Sequence, residues 1–96
     1  MTSASIIANN TRELVVHLSR KNGDPARALA GRVHADLNTI LSSNLDSDSV
    51  QRRQAQQTMY AIEEVLALID QRDLQGAWEA ARDASKEWRT FAQVED

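Results

Sequence analysis

The side chains whose types and spacing could do chemistry are few. They are His17 and His34, the carboxylate clusters Glu63-Glu64 and Asp70/Asp73, and the paired cations Arg52-Arg53. A metal centre needs at least three convergent ligands. Glu13 precedes His17 by four residues on one helix face and Asp36 lies near His34, but no HExxH or ExxH pair exists. If two antiparallel helices turn about Gly23, the histidines stand six and eleven residues from that turn and are not level. They read as surface or boundary residues, and no metal or cofactor is expected. General acid–base work needs carboxylates in a pocket that perturbs them, whereas these fall on the polar side of a helix or at its end. The chain has no GxSxG, no phosphate-binding glycine loop and no Ser/His/Asp constellation.

Arg52-Arg53 carry more weight. Two cations in the first turn of a helix oppose its dipole, so their placement suggests contact rather than stability. With Arg27 and Arg32 they could form a basic patch for phosphate or an acidic protein. No aromatic residue is interleaved with them and no helix-turn-helix pattern stands out. The remaining signal is aromatic. Trp78 and Trp88 are ten positions apart, about 80° around a helix, on opposite edges of one apolar stripe. A partly exposed tryptophan beside Leu74 or Phe91 would be an interface anchor; the alternative is that both fill the core.

These residues need helices to position them. One proline, three glycines and abundant Ala, Leu, Gln, Arg and Glu point to helix throughout. Ile7, Thr11, Leu14 and Leu18 follow the helical period and predict a helix over 3–21, with Ser3 or Ser5 capping a long form and Asn10 a shorter one. Gly23 is placed to end it. Asp24-Pro25 reads as an N-cap and first helical residue, opening a helix over 25–43 with Ala26, Ala30, Val33, Leu37, Ile40 and Leu41 on one face. Ala28, Gly31 and Ala35 make a second, small-residue face suited to close helix approach. The polar run 44–49 is a connection. Ala55, Met59, Ile62, Leu66 and Ile69 give a helix over 48–71, and Asp73 caps a last one over 74–92 with Leu74, Ala77, Trp78, Ala81, Ala84, Trp88 and Phe91 inward.

Asp24 and Asp73, 49 residues apart, each open a second helix, which predicts two helical hairpins. The run from Asp73 to Ala81 resembles the second helix of a tetratricopeptide-type hairpin, but the spacing is too long for that repeat. The expectation is one all-α domain over 1–96, a four-helix antiparallel up-down bundle of two hairpins, with the aromatic-rich pair of helices at its centre.

Bulk properties narrow the function. The chain is 96 residues long, 42% apolar and 26% charged, as in soluble globular proteins. It has no cysteine, so disulfides and thiolate zinc sites are excluded. Its longest apolar run, Val65–Ile69, is far short of the roughly 20 residues that span a bilayer. The first ten residues lack signal-peptide features, and a cytoplasmic location is the default expectation. Net charge is −3, divided unevenly: residues 1–62 sum to +2 and residues 63–96 to −5. The sequence therefore predicts a non-enzymatic protein–protein interaction module, regulatory or inhibitory, acting through an apolar helix face on another protein or as a homodimer. Leu74, Trp78, Trp88 and Phe91 are the expected anchors. A nucleic-acid-associated factor using Arg27, Arg32, Arg52 and Arg53 is the second reading, and a small enzyme using His17 or His34 the third.

Overall fold

The computed structural model describes residues 3–43 and 49–92. Four helices fill them: α1 (Ser3–Ser19), α2 (Gly23–Ser43), α3 (Ser49–Asp70) and α4 (Leu74–Ala92). α1 is the long form, running unbroken through Asn10. The expected polar connection falls largely on 44–48, outside the described residues.

α1 packs on α2 and α4, and α3 packs on α2 and α4, so the helices form a four-cornered ring. Paired contacts fix the directions. Arg27 meets Asp70 and His34 meets Glu63 across α2 and α3, and Thr11 meets Ser85 across α1 and α4. As one residue number rises its partner's falls, so both pairs of helices are antiparallel. The up-down bundle is as expected. Neither hairpin is central to it, because core residues come from all four helices.

Both hairpin turns have one design, and here the structure corrects two readings. The Lys21 amide donates to the Leu18 carbonyl and the Asn22 amide to the His17 carbonyl, at 3.0 and 2.9 Å. Arg72 and Asp73 repeat this onto Ile69 and Leu68, at 2.9 and 2.8 Å. Each set is a Schellman ending, and its last residue also starts the next helix: the Ala26 amide bonds the Asn22 carbonyl and the Ala77 amide the Asp73 carbonyl. Asn22, not Asp24, therefore caps α2. Pro25 sits in the first turn, where a missing N–H leaves no intrahelical bond unmade. Gly23 does not end α1. The left-handed residue is Lys21 (φ 59°), matched by Arg72 (φ 63°) in the second turn.

A non-glycine residue in this region costs about 1–2 kcal/mol, part of which glycine would lose again in the unfolded chain. Lys21→Gly and Arg72→Gly should each stabilise the fold by about 0.5–1 kcal/mol, measured as a higher urea midpoint at unchanged slope. Asp73 caps α4 as expected, its Oδ1 accepting the Gly76 amide at 3.0 Å. Gly76 is tied to that cap, since a Cβ there would lie 2.6 Å from Asp73 Oδ2.

Matching the turns shows that the internal repeat is 51 residues, Asn22 onto Asp73, not 49. At that offset most of the buried positions correspond: Ile7/Thr58, Thr11/Ile62, Leu14/Val65 and Leu18/Ile69 on the first helices, then Ala26/Ala77, Ala30/Ala81, Val33/Ala84 and Leu37/Trp88 on the second. The bundle is thus two equivalent hairpins. Alanines on α2 and α4 near the turns leave room for the larger side chains of α1 and α3, and volume trades locally where Ala84 and Trp88 replace Val33 and Leu37.

Two threonines enter this core. The Thr11 hydroxyl donates to the Ala8 carbonyl at 2.8 Å and shares a 3.1 Å hydrogen bond with the Ser85 hydroxyl. Among the described residues the Thr58 hydroxyl is buried without a partner. A buried unsatisfied hydroxyl costs about 1–3 kcal/mol, so Thr58→Val should raise stability by about 1 kcal/mol, read from chemical denaturation. A result below wild type would show that the hydroxyl is satisfied in solution.

Among the described residues no helix is long and apolar enough to cross a membrane.

Candidate functional site

The four expected apolar anchors divide into three places. Trp88 is 1% exposed and belongs to the core. Phe91 tilts against it, ring centres 5.4 Å apart, and borders a mainly polar groove with Gln54, Gln57 and Lys86 near the end of α4. Leu74 and Trp78 lie together at the other end, about 20 Å away at 1.5 Å rise per residue. One continuous face presenting all four does not exist, because Trp88 points inward where Trp78 sits at the stripe's edge.

Leu74 and Trp78 line an open cleft of about 620 Å³ between the end of α1 and the start of α4. Leu18 supplies the third apolar wall; Lys21 and Arg72, the left-handed residues of the two turns, supply its cations; Ser19, Gln75 and Asp73 complete it. Sequence reasoning missed Leu18, Ser19, Lys21 and Arg72 as site residues. The signal for them was the turn repeat, which brings both turns to one end of the bundle. Lys21 and Arg72 form no ion pair among the described residues, and the Asp73 carboxylate is engaged by the Gly76 amide. The Arg82 guanidinium covers one side of Trp78, 4.8 Å from the ring centre, a cation–π contact that holds the indole at the rim.

The repeat supplies an internal comparison. The counterparts of Ser19 and Trp78 in the other half are Asp70 and Arg27, and those two form an ion pair across α3 and α2. One half thus bridges its groove with a salt bridge; the other leaves a serine, an indole and open space. This contrast marks the cleft.

The arginines of the second reading do not converge. Arg27 is paired with Asp70 near the C-terminal end of α3, whereas Arg52 and Arg53 lie at its N-terminal end, roughly 25 Å away. Arg32 borders a separate small groove with Ile6, Asp36 and Thr39. The helix rise separates them, so no single patch is formed. His34 Nε2 stands 2.9 Å from Glu63 Oε2 in an interhelical contact at the surface. His17 is half-buried on α1, and its carbonyl closes the first turn. Neither histidine lines the clefts described above, and among the described residues no three His, Asp or Glu groups converge as a metal centre would require. The outer face of α2, with Ala28, Gly31 and Ala35, is exposed, and nothing lies within 4 Å of a Cβ built on Gly31. The close helix approach expected there does not occur among the described residues.

Fold and cleft together define a class: an all-α up-down bundle with an amphipathic cleft where its two hairpin turns meet. Comparison with protein-family models, curated proteins and solved structures gave no match to this chain.

Proposed function

We propose that this chain is a cytoplasmic protein–protein interaction module, regulatory or inhibitory, that receives its partner in the turn-end cleft. The carrying observation is Trp78, only partly buried at the rim of an open amphipathic cleft, at the position where the equivalent half of the bundle places a salt bridge. Indole at a rim, flanked by Leu18 and Leu74 and ringed by polar groups, is the composition of a contact hot spot. The cleft is open along one side. A small ligand there would keep much of its surface in water, whereas binding sites for small molecules enclose most of it; a segment of a partner protein fits better. Homodimerisation through this cleft is the special case in which the partner is a second copy.

The test is capture from lysate with the full chain, each sample divided into nuclease-treated and untreated halves. A partner retained at fixed stoichiometry in both halves, and lost with Trp78→Ala, is the expected result. Retention that disappears with nuclease would favour the nucleic-acid reading. Retention indifferent to Trp78→Ala would move the site elsewhere.

A further inference from the structure

We infer that the cleft takes an acidic segment: a peptide that inserts one large apolar side chain between Leu18, Leu74 and Trp78 and places carboxylates beside Lys21 and Arg72. This rests on the reading of the cleft as a contact site and adds the chemistry of its occupant.

The argument is charge complementarity, judged against the molecule's own second half. There Asp70 lies across the groove from Arg27 and neutralises it internally. In the cleft the residue equivalent to Asp70 is Ser19, so no carboxylate is supplied from that side. Both turn cations line the space without an ion-pair partner among the described residues, and Asp73, the carboxylate in the lining, is occupied in capping α4. Arg82 sits over the indole but is paired with Asp83 at 3.6 Å on the same helix, so the cations open to a ligand are Lys21 and Arg72. The cleft keeps neither member of the Arg27–Asp70 pair, with Ser19 in place of Asp70 and Trp78 in place of Arg27, so an incoming carboxylate would meet the two turn cations instead. Lys21 and Arg72 also hold backbone conformations that glycine would adopt at lower energy, and both nonetheless carry a cation.

The probe is a library of short random peptides displayed on phage and selected against the full chain, with Trp78→Ala used for counter-selection. Selected peptides should be enriched in Asp and Glu around a single large apolar residue, and their binding should weaken as salt rises. Ser19→Asp, which installs the missing internal carboxylate at an exposed position, should weaken them about fivefold or more. The double change of Lys21→Gly and Arg72→Gly should weaken them similarly while leaving the fold at least as stable, so that loss of binding cannot be ascribed to unfolding. Peptides without acidic enrichment, or binding indifferent to Ser19→Asp and to the double variant, would overturn the inference. If such peptides still required Trp78, the contact-site reading would stand without it; if no Trp78-dependent peptide emerged, both would fall.

Discussion

Replacing Trp88 with alanine should remove a large part of this protein's stability. Trp88 is 1% exposed and is the largest fully buried side chain in the bundle. Its removal forfeits the burial of an indole and leaves a cavity flanked by Ala84 and Ser85, too small to refill it. Large aromatic-to-alanine changes in cores cost about 3–5 kcal/mol, against a total stability of about 5–15 kcal/mol for an ordinary domain. For a chain of this length each kcal/mol shifts Tm by about 4–8 °C. Thermal unfolding followed by far-UV circular dichroism should therefore show a fall of roughly 15–30 °C. Phe91, whose ring leans on Trp88, should also lose its support. A fall of only a few degrees would mean that Trp88 is not the core residue described above.

Trp78→Ala should behave in the opposite manner. Its indole is partly buried against the core and covered by Arg82 at one face, so truncation removes less buried area than at Trp88 and opens no enclosed void; the loss of stability should be about 2–3 kcal/mol. The effect on binding should be large. Tryptophans at the centre of contact sites commonly contribute 2 kcal/mol or more, equivalent to about a thirtyfold loss of affinity. Isothermal titration of wild type and variant with the captured partner measures it, and Trp78→Phe should recover part of the loss by restoring an aromatic surface. If the two tryptophans showed the reverse pattern, with Trp78 governing stability and Trp88 governing affinity, the assignment of core and rim would be inverted.

The two aromatic residues also show how far the sequence can be read. Their spacing predicts opposite edges of one stripe, whereas Trp88 is fully buried and only Trp78 lies at an edge; periodicity alone does not say which part of the stripe meets the neighbouring helices. That depends on how α1 lies against α4, set by Thr11 and Ser85, which are 74 positions apart. The helices themselves were legible because each carries an apolar stripe at the helical period, and Asp73 was legible as a cap because an aspartate there has only the following amides to bond. Asp24-Pro25 misled for a definable reason. Proline is acceptable anywhere in the first turn, so it marks a helix beginning to within a turn, and Asn22 took the cap two residues earlier.

The cleft was half legible. Leu74 and Trp78 stood out by size. Lys21 and Arg72 did not, since a basic residue at a helix end has an ordinary explanation in the dipole. The up-down topology puts both turns at one end of the bundle, but only the folded turns show both cations lining the same cleft. The arginine grouping failed on distance: Arg27 on α2 meets the C-terminal end of α3 at Asp70, whereas Arg53 lies in the first turns of α3.

Amide chemical-shift mapping of the full chain, titrated with the captured partner or with a selected peptide, locates the contact surface residue by residue. The perturbed amides should cluster on Leu18 to Lys21 and on Arg72 to Trp78, with the Trp78 indole N–H among the most shifted and the Trp88 indole N–H nearly still. Perturbation centred instead on the outer face of α2 at Ala28, Gly31 and Ala35, or on Arg52 and Arg53 at the opposite end of the bundle, would contradict the turn-end cleft as the site of contact.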